Sequence, residues 1–140
     1  MTPYQWTQQA SFQWTRVDIV LALLEEAICV LHELQAVSRK GAEKDTDACR
    51  RLWQRAELLI AGLISGVNPE IGEVAASFLR LYEYAHHAVS NRQWRELPGV
   101  VQVLDTLRSG FEAVREAAIE MERDGVIPPV GTSPQWAVIA

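Results

Sequence analysis

An all-α fold, an antiparallel four-helix bundle with an N-terminal arm and a C-terminal tail, is predicted by three features of the sequence. Four stretches repeat apolar residues at helical spacing. Gly, Pro and Asn punctuate those stretches. Nowhere do apolar and polar residues alternate as they would in a half-buried strand.

The first helix is expected over Arg16 to Arg39. Val17, Val20, Leu21, Leu24, Ile28 and Leu31 form one helical stripe, and Ile19, Leu23, Val30 and Leu34 form a second apolar face. A helix apolar on more than one side is either central or covered by something extra. Gly41 ends it, with Arg39 and Lys40 suited to the negative pole of the dipole. The second helix is expected from about Thr46 to Gly66, capped by Asp45, Thr46 or Asp47. Its stripe is Cys49, Leu52, Trp53, Ala56, Leu59, Ile60, Leu63 and Ile64. The third is predicted to open at Asn68-Pro69-Glu70, a capping residue, a proline at the first helical position and an acid in the first turn. It exits at Asn91-Arg92. The fourth runs from about Pro98 to Arg123, because proline is tolerated only in a first turn. Residues 91–97 are then a loop or a short separate turn. Helices of roughly 20 to 26 residues span about 30 to 39 Å. The short connections favour antiparallel neighbours.

The chain reads as a single domain of 140 residues: arm 1–15, bundle 16–123 and tail 124–140. The arm carries Tyr4, Trp6, Phe12 and Trp14, large rings that need somewhere to dock. The tail carries Pro128, Pro129, Pro134 and Trp136. With 49% hydrophobic residues the chain can bury a core without staples. The net charge of −5 and scattered basic residues disfavour a nucleic-acid partner, since phosphate binding draws on clustered Lys and Arg. The longest apolar run, Ile19 to Leu24, is six residues, whereas a membrane span needs about 20, so no membrane insertion is expected. The N-terminus lacks the basic and apolar regions of a secretory signal. Cys29 and Cys49 are read as reduced, buried thiols of a cytoplasmic protein.

A search for chemistry finds little. A di-iron bundle needs Glu-x-x-His on two helices and a Glu from each of two others; here only Glu83 and His86 have that spacing. His86 and His87 point about 100° apart and cannot clamp one ion alone. They read as a boundary or surface pair. Glu25, Glu26 and Asp18 read as a solvated face. No phosphate loop or nucleophile elbow is legible, and Gly62 and Gly72 read as close helix contacts. No catalytic residue and no cofactor are expected. What stands out is apolar excess: five Trp in a small chain and a first helix with two apolar faces. Proteins that bind another chain's helices leave such grooves, often shielded by a terminal segment.

Residues 72–84 read Gly-Glu-Val-Ala-Ala-Ser-Phe-Leu-Arg-Leu-Tyr-Glu-Tyr. This resembles the flagellar secretion chaperone family FliS, in which Gly-Glu-Ile-Ala is followed by Leu-Tyr-Asp-Tyr. Leu23-Leu24-Glu25-Glu26-Ala27-Ile28 stands where the family has Leu-Tyr-Asp-Gly-Ala-Ile, and Tyr4 lies near the place of an N-terminal family Tyr. The similarity covers about residues 4–122. The sequence departs from the family pattern at Thr15-Arg16, where the family has Ser-Pro, and at Leu24 and Glu26, where it has Tyr and Gly. The tail has no counterpart. The resemblance implies an antiparallel bundle that holds the C-terminal segment of flagellin in the cytoplasm, prevents premature polymerisation and presents the subunit for export. The aromatic arm, the doubled apolar face of the first helix and the resemblance together give expected partner contacts at Tyr4, Trp6, Ile19, Leu23, Leu24, Leu81, Tyr82 and Tyr84, and the implied role requires no cofactor. A divergent adaptor with another client, and a small metalloenzyme on a bundle, are the rival readings. The oligomeric state is left open.

The missing second Glu-x-x-His yields a first prediction. Protein purified without added metal should carry no stoichiometric iron, manganese or zinc by elemental analysis, and finding one of them would favour the metalloenzyme.

Overall fold

A computed structural model describes residues 16–123, with the side chains of that span except at 71, 114 and 116–123. Four helices follow one another: α1 (Arg16–Arg39), α2 (Asp47–Ser65), α3 (Glu73–Ser90) and α4 (Leu97–Arg123). Two 3₁₀ turns, Pro69–Ile71 and Trp94–Glu96, precede α3 and α4. α1 packs on α2 and α4, α2 on α3, and α3 on α4, which closes a four-membered ring. Pairs across the seams fix the antiparallel sense. Glu26 meets Arg55 between α1 and α2, Phe78 meets Phe111 between α3 and α4, and Asp18 near the start of α1 meets Arg115 late in α4.

Local signals explain the limits of the helices. Gly41 adopts φ +65, the left-handed region that glycine enters without steric cost, and stops α1 where the sequence expects. Thr46 caps α2, its hydroxyl accepting from the Cys49 N–H at 3.1 Å. The start of α3 differs from expectation. Asn68 Oδ1 accepts from the Glu70 N–H two residues on, which closes a tight turn rather than an α-helix. The backbone then extends through Gly72 before α3 begins at Glu73. Gly72 is therefore no close helix contact: a Cβ built there meets nothing within 4 Å. After Ser90, Arg92 turns the chain at φ 50, and Pro98 sits in the first turn of α4.

The doubled apolar face of α1 divides in two. Val30 and Leu34 join Val17, Val20, Leu21, Leu24, Ala27, Ile28 and Leu31 in the core, because α1 has partners on two sides. Ile19 and Leu23, on the same second face but nearer the N-terminus, are only half-buried. Cys49 is buried as expected, whereas Cys29 is exposed. Cys29 lies one helical turn from Glu25, Glu26, His32 and Glu33 and so shares their solvent stripe.

The end of the bundle formed by the α1–α2 and α3–α4 connections is closed by aromatics. Trp53 and Trp94 meet edge to face at 5.1 Å between centroids, and Lys44 Nζ lies 5.0 Å above the Trp94 ring. In mid-core Tyr82 is fully buried, and its hydroxyl finds no hydrogen-bond partner among the described residues. Burial pushes its phenol well above the ordinary range.

Two adjacent leucines should behave differently. Leu24→Ala empties a fully buried position and should cost about 2–5 kcal/mol. Leu23→Ala should cost less, about 1–2 kcal/mol, because that side chain is only partly buried at the core's edge. Urea unfolding of the two variants checks this, and equal losses would show Leu23 to be a core residue.

Candidate partner-binding groove

The half-buried face of α1 opens onto a groove of about 220 Å³ against the C-terminal half of α2. Arg16, Ile19, Val20 and Leu23 line one side and Gly62, Leu63, Ser65 and Gly66 the other. The α1 residues recur at three- and four-residue intervals and so form one stripe. Opposite them α2 offers small residues at the same interval, Gly62, Ser65 and Gly66, which leave the space unfilled. Val20 and Leu63, both buried, make the floor. The Ser65 hydroxyl donates to its own helix, at Gly62 O 2.7 Å away, so it presents little polarity to the groove. A Cβ at Gly62 would stand 3.7 Å from Leu23 Cδ1, an ordinary contact. Gly62 is thus a helix-contact residue as expected, though space alone does not demand glycine.

The Glu26–Arg55 pair crosses from α1 to α2 one turn beyond Leu23, with Arg55 Nε donating to Glu26 Oε1 at 3.1 Å. The groove thus runs from Arg16 to this pair, about 15 Å at the helical rise. Leu58, 73% exposed, lies one turn before Gly62 on the same stripe of α2 and extends the apolar lip. At the open end Arg115 Nε donates to Asp18 Oδ1 at 2.6 Å.

The residues expected to meet a partner fall into four groups. Ile19 and Leu23 come together in the groove. Leu24 and Tyr82 are corrected: both are fully buried, point into the bundle and offer no surface. Leu81 and Tyr84 are exposed on α3, in a stripe with Val74. Tyr4 and Trp6, with the rest of the arm, lie outside the described residues, as does the tail with Trp136. Tyr84 also has a structural contact. Its hydroxyl donates to Glu96 Oε2 at 2.9 Å, and a Cβ at Gly99 would fall 2.8 Å from it. Partial burial, then the hydrogen bond and charge of Glu96, raise the Tyr84 phenol above its usual range. The α2 wall, Leu58, Glu96 and Gly99 escaped sequence reasoning. The one available signal was the small-residue spacing of Gly62, Ser65 and Gly66.

The arrangement suits binding rather than bond-making. The groove lining carries one ionisable side chain, Arg16, and no acid, imidazole or thiol among the described residues. Elsewhere Ser90 Oγ donates to Glu57 at 2.9 Å while His86 Nε2 stands 3.9 Å from the same carboxylate. Ser90 Oγ also lies 3.5 Å from His86 Nδ1, so the hydroxyl makes its shorter contact with the acid and its longer one with the imidazole. His86 is a boundary residue and His87 is exposed, as the sequence suggests. Among the described residues no group of three or more His, Cys, Asp or Glu could hold a metal ion, and no helix is long and apolar enough to cross a membrane.

Comparison with curated proteins gives no match, and neither does comparison with solved structures. A family model described as flagellar protein FliS matches residues 2–118, most of the chain, and spans α1, α2, α3 and the greater part of α4. The chain belongs to the FliS family of flagellar proteins.

Proposed function

We propose that this chain is a cytoplasmic export chaperone whose α1–α2 groove takes an amphipathic segment from the C-terminus of flagellin. The observation that carries the reading is the groove itself, apolar at Ile19 and Leu23 and left open by the small residues of α2. Family membership supports it, because FliS proteins are flagellar chaperones and not enzymes. A groove of about 15 Å accommodates two to three turns of a client helix. Leu81 and Tyr84 on α3 provide a second apolar contact for the rest of the segment.

The mechanism is sequestration. A flagellin terminal segment that would otherwise pair with another subunit lays its apolar face on the bundle. The gross gain is about 25 cal/mol per Å² of apolar surface removed from water. Ordering the segment offsets part of it. No bond is made or broken, and no cofactor is required. In calorimetry, a flagellin C-terminal peptide should bind near 1:1 with a negative heat-capacity change, the mark of apolar burial. The double variant Ile19→Ser, Leu23→Ser should weaken binding about tenfold or more, since each removes most of an apolar side chain from the contact. Folded protein that shows no binding at tens of micromolar would sink the flagellin assignment and leave the adaptor reading.

The aromatic arm is the proposed cover of the empty groove. Residue 15 joins the chain at Arg16, a lining residue, so the arm is tethered at the open end. A short tether gives a high effective concentration, and even a weak contact is then populated. The client meets a groove that is free only part of the time, which lowers its apparent affinity. Deleting residues 1–14 should therefore tighten client binding and lower the solubility of the free protein. A lower melting temperature together with weaker binding would show instead that Tyr4, Trp6, Phe12 and Trp14 are permanent parts of the core. The Trp136 tail is the other candidate for the same role, and its own deletion separates the two.

A further inference from the structure

The charge of this bundle is strongly uneven along its length. Residues 39–55 and 92–96 hold eight of the chain's 13 Lys and Arg but only four of its 18 Asp and Glu. That is a local balance of +4 in a chain of net charge −5. The fold brings these two segments to one end, where Trp53 meets Trp94 and Lys44 covers the Trp94 ring. Arg50 is held by Asp45 and Asp47, and Arg55 by Glu26. Arg39, Lys40, Arg51, Arg92 and Arg95 are exposed and make no ion pair among the described residues. The client groove starts at the opposite end, at Arg16, and its near limit, the Glu26–Arg55 pair, lies about 20 Å along α1 from Arg39.

We propose that this basic end, centred on Trp94 between Arg92 and Arg95, is a second docking surface that takes an acidic segment of another protein while the groove holds a client. The chemistry favours a protein over a polyphosphate or an anionic lipid surface. Glu43, Asp45, Asp47 and Glu96 are interleaved with the basic residues and would repel a continuous row of phosphates. A peptide can place its carboxylates between them. A half-buried Trp flanked by Arg is the composition enriched at protein interfaces. The guanidinium groups of Arg92 and Arg95 match carboxylates two bonds at a time. Complementary charge also raises the encounter rate in a salt-dependent way. Both surfaces lie on one rigid bundle, and a client and an acidic partner are held at its two ends without competing for space.

The test uses the full chain and a fluorescein-labelled peptide whose Glu residues are spaced by Gly and Ser, read by anisotropy at about 50 mM and about 300 mM salt. The peptide should bind at the lower salt and weaken at the higher. The variant Arg92→Gln, Arg95→Gln should reduce its affinity about tenfold, with helix content unchanged by circular dichroism. The variant Arg80→Gln, Arg108→Gln removes the same charge from elsewhere and should leave peptide binding near that of the parent. A flagellin C-terminal peptide in the groove should not displace the acidic peptide. Because the docking surface lies apart from the groove, failure of flagellin to bind would leave this result standing. Absence of peptide binding would overturn the proposal, as would equal losses in the two variants. So would tighter binding to phosphatidylglycerol vesicles or to single-stranded DNA, or competition with the groove peptide.

Discussion

α1 has more apolar circumference than the described residues of its neighbours cover, and the rest of the structure depends on that mismatch. It packs against both α2 and α4, so the core takes residues from two of its faces, with Leu24, Leu31 and Leu34 fully buried. Toward its N-terminus the described residues leave this face open. On the facing stretch of α2, Leu63 forms the floor while Gly62, Ser65 and Gly66 add little side chain beside Ile19 and Leu23, and a groove of about 220 Å³ results. Among the described residues the groove is uncovered apolar surface, the kind of feature that marks an interaction site.

The Glu26–Arg55 pair bounds this groove. It is exposed on both sides, and such pairs contribute about 0–1 kcal/mol to folding. Its importance is positional. It sets two opposite charges at the far end of an apolar track, so an apolar segment lying in the groove would end there or present polar groups to it.

Much of the fold was legible because each helix end carries its own local signal. Gly41, Thr46 and Pro98 act through backbone geometry and one hydrogen bond, which a sequence displays directly. The opening of α3 was misread because Asn68-Pro69-Glu70 suits a 3₁₀ turn as well as an α-helix, and the extended backbone at Gly72 decides between them. The site was less legible. Leu23 and Leu24 are the same residue type one position apart, yet one borders the groove and the other is sealed in the core. Their difference depends on which helix faces them. Tyr82 and Tyr84 divide in the same manner. Cys29 misled because Ile28 and Val30 flank it in sequence, while its neighbours on the helix surface are Glu25, Glu26, His32 and Glu33. The charge asymmetry emerged only when the fold joined residues 39–55 to residues 92–96.

Uncovered apolar surface on α1, used to hold a client, is the central claim. Backbone amide spectra of the isotope-labelled full chain, recorded with and without a flagellin C-terminal segment, test it most directly. The account predicts that the largest shifts fall on Arg16 to Glu26 and on Leu58 to Gly66, with the Trp53–Trp94 end little changed. Binding that shifts other parts of the bundle while Ile19, Leu23, Gly62 and Ser65 stay in place would contradict it.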